Sequence, residues 1–117
     1  MKLMNLTPHA IVISLGDERF TVAPSGQVAR VSSTPGATKS VDFGFGLVPV
    51  AESPTWGVVE GLPGPVEGTG YLVSGLVLSR CVGRADVFGP GTSPNDNAIR
   101  DDAGRIAAVT RLIGAPR

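Results

Sequence analysis

Apolar residues along this chain come in short runs, most of them alternating with polar ones and each closed by glycine, proline, serine or aspartate. That pattern predicts short half-buried strands. Ala10–Ser14 ("AIVIS") and Arg19–Val22 ("RFTV") flank Gly16-Asp17, a turn dipeptide, and predict a β-hairpin. "APSG" (Ala23–Gly26) predicts a turn, with Pro24 and Gly26 at its second and fourth positions. Gln27–Ser33 reads as a strand and Thr34–Ser40 as a turn or loop. Val41–Val50 alternates through Val41, Phe43, Phe45 and Leu47, which predicts a strand with its glycines at bulge or crossing points.

Trp56–Pro65 predicts one further short strand and a Pro/Gly-rich loop. Gly68–Val82 is the most apolar stretch. Its Tyr71–Ser74 segment reads as a buried strand, and Leu76–Val82 either continues it or forms one to two helical turns. Gly83–Asn97 is polar and rich in Gly, Pro and Asn, and reads as a long loop. The C-terminal stretch predicts a second hairpin: strand Ala98–Arg100, turn Asp101–Gly104, strand Arg105–Ile113. With no internal repeat and no linker, residues 1–117 are expected to form a single all-β domain, a small sandwich or barrel of short strands with at most one short helix.

Composition sharpens this. The chain has 117 residues, 42% of them hydrophobic but only 5% aromatic, so its core must be aliphatic. Gly (16) and Pro (10) are abundant, as frequent turns require. Ten basic residues balance ten acidic ones. Binding of long nucleic acid draws its affinity from a basic surplus that is absent here. Arg80, Arg84, Arg100, Arg105, Arg111 and Arg117 nevertheless make the last third mildly basic, which suits a small anion. One cysteine, Cys81, excludes an internal disulfide and a multi-cysteine zinc site, and its apolar neighbours predict a small buried thiol. No cofactor or metal is expected. No apolar run has the length of a signal peptide or of a membrane span, so the expected location is the cytoplasm, without membrane contact.

No phosphate-loop, dinucleotide-binding or zinc-protease motif is present, and Gly44-x-Gly46 lacks the third glycine and the helix of a nucleotide fingerprint. Ser74, His9 and Asp86 are a formal triad of common residue types with nothing in their spacing to join them. An enzyme is therefore the less favoured class. Binding candidates are clearer. Arg84 and Asp86 flank Ala85, so in extended backbone they share a side and pair, either bracing the long loop or clamping an anion. Arg100 stands at the mouth of the last hairpin, and Arg30 lies inside "VARV". Guanidinium forks suit phosphate and stack on bases. Trp56 and Tyr71 lie beside glycine-rich loops, either as base-stacking platforms or as caps on the rim of the core. Ser74 offers a strand-end hydroxyl. His9 follows the rigid Pro8 in "NLTPH", where its ring either holds the first corner through a carbonyl or lines a ligand site.

The stretches "NLTPHAIVI", "PSGQVARV", "WGVVEGLPGPVEGTGYLVS", "GRADVFGP" and "IRDDAGRI" resemble the small proteins encoded by bacteriophages and prophages, notably of actinobacterial hosts, that begin with a Leu-Thr-Pro-His signature. The similarity spans nearly the whole chain and implies a role in an infected bacterium. Small phage proteins without catalytic motifs commonly act by binding. By analogy with anti-defence proteins that sequester nucleotide-derived signals, the expectation is a non-enzymatic homo-oligomer. It would hold a cyclic oligonucleotide or ADP-ribose derivative away from a host sensor, using Arg84, Asp86 and Arg100, with His9, Arg30, Ser74, Trp56 and Tyr71 behind them. The competing expectations are a virion or assembly oligomer without ligand, an enzyme that degrades such a signal, and an inhibitor that binds a host protein.

Overall fold

In the computed structural model, which describes residues 1–117, the chain enters as β1 (Lys2–Asn5) and turns a corner into the expected hairpin of β2 (Ile11–Leu15) and β3 (Glu18–Val22). The hairpin pairs Leu15 with Glu18 across Gly16-Asp17, and Gly16 takes the φ of +61° that favours glycine. Asn5 builds the corner. Its Nδ2 donates to the carbonyls of His9 (2.8 Å) and Val22 (2.9 Å), and its Oδ1 accepts from the backbone N–H (2.9 Å) and hydroxyl (2.7 Å) of Thr7. The amide is buried and fully satisfied.

The next four strands form one arm. β4 (Arg30–Thr34) pairs with β7 (Thr55–Glu60), and beyond a short break β5 (Thr38–Asp42) pairs with β6 (Leu47–Ala51), all antiparallel. Two predicted boundaries shift here: Thr34–Ser40 is mostly strand, and Val41–Val50 is two strands around a turn. Hydrophobic alternation runs straight through Phe43-Gly44-Phe45-Gly46, but Gly44 (φ +92°) and Gly46 (φ +149°) turn the chain back, and the Asp42 carboxylate accepts from the Gly44 N–H at 2.8 Å.

The second half carries β8 (Thr69–Leu72), helix α1 (Gly75–Leu78), β9 (Val87–Pro90), β10 (Ile99–Arg100), β11 (Ile106–Ala108) and β12 (Leu112–Gly114). Strands β1-β8-β9-β12 form a four-stranded sheet, parallel over the first three and antiparallel at β12. β9 lies within the stretch predicted as loop. Its Gly89 is there for packing, since a Cβ would stand 2.9 Å from Leu78 Cδ2. Pro90 ends the strand, and Pro94–Asp96 adds a 3-10 turn. The last predicted strand is broken at Thr110-Arg111, where the Thr110 hydroxyl and the Arg111 guanidinium reach back to residues 95–97. The all-β class with one short helix holds, and no helix is long and apolar enough to cross a membrane.

The core is aliphatic and small. Leu6, Ala29, Tyr71, Val73, Val77, Leu78, Cys81 and Val87 form one buried cluster, flanked by Met4, Val31, Val59 and Leu62. It sits where the four-stranded sheet, α1 and the inner half of the arm meet.

Candidate functional site

Beside that core, β7 and the turn after α1 enclose an open groove of about 440 Å³, lined by Trp56, Val58, Val59, Leu62, Arg80 and Arg84 among others. Both walls follow from local chemistry. Ser74 caps α1, its Oγ accepting from the Val77 N–H at 3.4 Å, and the chain then winds on through Arg80 N–H to Val77 and Cys81 N–H to Leu78. This fixes Cys81 inward and leaves Arg80 outward. On the other wall the β4–β7 register shifts at Val31/Ser33, and Gly57 lies so close to Ser32 that a Cβ would stand 2.7 Å from its hydroxyl. The bulge sets Trp56 at the rim, half-buried, with the Arg80 guanidinium carbon 5.1 Å from its ring centroid.

Arg84 closes one end of the groove. Its Nε and Nη2 form a two-pronged bond to the Asp86 carboxylate, both at 2.9 Å, and Nη2 also donates to the Pro63 carbonyl at 3.0 Å. The pair is largely buried, and Arg84 holds the Asp86 carboxyl below the usual carboxylate range while the partnership raises the guanidinium. Nη1 makes no bond within the protein, so one edge of the fork remains available. Asp86, fixed in its ionised form, offers no proton near neutrality. Burial pushes the Cys81 thiol up, so it is a neutral packing group with its Sγ 3.1 Å from the Val77 carbonyl. Arg80 has no carboxylate partner. The groove is thus an apolar trough with an aromatic face, an unpaired cation stacked on it and a second cation at its end.

Of the eight residues singled out from sequence, Trp56 and Arg84 line this groove, with Asp86 bonded behind Arg84. Tyr71 is in the core below, 3% exposed, its hydroxyl 3.4 Å from the Gly64 carbonyl. Ser74 is the helix cap. Arg100 donates to the Gly104 carbonyl at 2.8 Å and braces its own hairpin turn. Arg30 is exposed at the start of the arm, opposite Glu60. The His9 side chain is exposed and makes no hydrogen bond; its backbone carbonyl, not its ring, takes part in the Asn5 corner. Arg80 was not singled out. Its sequence signal is slight: a lone charge at the end of the apolar run Leu76–Leu78, with nothing local to tie it to Trp56. Comparison with family models, with curated proteins and with solved structures gives no match for this chain.

Proposed function

We propose that this groove holds a small anionic ligand with a planar ring, of the nucleotide-derived class. The protein acts by sequestering that ligand without converting it, as a phage-encoded factor in the cytoplasm of an infected bacterium. The observation that carries the reading is the Trp56–Arg80 stack beside an apolar floor. A base or adenine ring extends the stack on the free face of the guanidinium, and phosphate is met by Arg80 and by the open edge of Arg84. A volume of about 440 Å³ lies within the range of small-ligand sites. The non-enzymatic reading is supported by the state of the groove's titratable groups: the thiol is neutral, Asp86 is locked to Arg84, and no general base faces the trough.

The test is native mass spectrometry with a mixed panel of cyclic di- and trinucleotides and ADP-ribose derivatives, followed by weighing of the ligand released on heating. An intact ligand at a fixed ratio per chain is expected. Arg80→Ala and Trp56→Ala should each weaken it about 5- to 160-fold, the equivalent of a stacking partner worth about 1–3 kcal/mol. A ligand released as smaller products would make the protein an enzyme, and no binding by any panel member would end the reading.

A further inference from the structure

The outer half of the arm covers nothing in its own chain. Every residue of β5 is exposed, and of β6 only Val48 is partly covered. A lone two-stranded ribbon is marginal in water, and this one exposes large apolar side chains, among them Val41, Leu47 and Val50. The opposed pairs Val41–Val48 and Lys39–Val50 put three valines on one face, and Phe43 continues it by alternation. At the tip Phe43 and Phe45 stack with ring centroids 6.3 Å apart, and Phe45 is 83% exposed. The other face carries Thr38, Ser40 and Asp42 opposite Ala51, Pro49 and Leu47.

The whole molecule has a matching surplus of surface. It exposes 7846 Å², whereas a folded monomer of 12.0 kDa exposes about 6,000 Å². Its radius of gyration is 17.8 Å, against about 13 Å for a compact chain of this length. A standard interface removes about 800 Å² from each partner and obligate ones remove more. The surplus of roughly 1,800 Å² is therefore of the size that self-assembly buries. Between β2 and β11 runs a second groove of about 220 Å³, walled by Ile11, Val12, Ile106 and Val109, with no charged side chain in its lining. An apolar cavity of about 150 Å³ already takes a benzene ring. With zero net charge, two copies meet without net repulsion.

We infer that the arm is an assembly arm: its tip seats on a second copy of this chain, with Phe45 in the groove between β2 and β11. This goes beyond the ligand reading and stands or falls without it. Light scattering and native mass spectrometry of the full chain at micromolar concentration should find a discrete oligomer. Phe43→Ser/Phe45→Ser should weaken association at least 100-fold while keeping the far-ultraviolet dichroism and a cooperative melt, and Ala107→Arg in the groove should do the same. Amides of residues 38–51 in the unaltered protein should exchange slowly when concentrated and faster on dilution, a readout that survives even if a variant misfolds. A monomeric wild type, an arm variant that assembles unchanged, or exchange indifferent to dilution would overturn the proposal. An Ala107→Arg protein that assembles like wild type would overturn the groove as receptor. A monomer that floats with phosphatidylcholine/phosphatidylglycerol vesicles would make the occupant lipid instead.

Discussion

Asn5 uses every hydrogen-bonding position of its buried amide, and both of its donors face backbone carbonyls. Asn5→Asp keeps the shape and replaces the donor nitrogen with an oxygen, so a carboxylate would lie against the carbonyls of His9 and Val22. Removing a partner from buried polar groups costs about 1–3 kcal/mol, and more where a charge results. Denaturant titration of Asn5→Asp should give a loss at or above that range at pH 7. Relative to wild type the loss should shrink as pH falls toward about 4 and level off below it, because the protonated acid regains one donor and the fold favours the neutral form. A difference constant with pH would mean that the site tolerates the charge. The motif "NLTPH" marked this place in the sequence, but the histidine drew the chemical reading, as the one residue of its kind. The residues that hold the corner are the unremarkable Asn5 and Thr7, and one partner, Val22, lies 17 positions away. Arg84–Asp86 was legible because two residues at i, i+2 in extended backbone share a side. Trp56–Arg80 was not, since only the tertiary fold joins them.

Elements were legible where turn chemistry and alternation agree, as in the β2–β3 hairpin. They were misread where one signal masks another. Alternation through Phe43-Gly44-Phe45-Gly46 hid a turn, and the glycine and proline of β9 hid a strand in which Gly89 is needed for close packing and Pro90 is the last residue. The arm also has a joint that composition does not reveal. At Gly36 the chain passes so close to β6's neighbour Glu52 that a Cβ would stand 2.7 Å from its carbonyl carbon and 2.9 Å from its Cβ, while the Glu52 N–H donates to Ala37 at 2.9 Å. Gly36→Ala must therefore open the ribbon at its midpoint, an overpacking worth about 1–3 kcal/mol. The strands beyond the joint rest on no core of their own chain, so the damage should stay local. Hydrogen exchange should speed up over residues 38–51 and remain unchanged over 69–90, with little change in the melting temperature. A melting temperature that fell by many degrees would show that the outer arm is coupled to the core.

For the molecule as a whole, only 18 of 117 residues are buried, so the few buried titratable groups weigh heavily in how stability depends on pH. Arg84 depresses Asp86, and Asp96 is depressed by the Ser93 hydroxyl and by Arg111, whose Nε donates to it at 2.7 Å. A carboxyl with a lowered folded pKa contributes stability that is complete above its unfolded value, near 3.9, and is lost as pH falls through the folded one. Cys81 works at the other end. Its thiol is raised by burial, so the unfolded chain ionises first, near 8.5, and stability declines from there until the folded value is passed. Denaturant midpoints should thus be level from about pH 5 to 8 and fall on both sides. Asp86→Asn should flatten the acid limb and leave the alkaline one, because the asparagine no longer has a proton to take up. Cys81→Ala should do the reverse, lowering the plateau by the lost packing but removing the decline above about 8.5. A Cys81→Ala protein that kept the full alkaline decline would mean that the thiol ionises as easily in the fold as out of it. The thiol lining the groove would then ionise as an ordinary cysteine does, from about pH 8.5, and the case for sequestration without chemistry would lose one of its three supports.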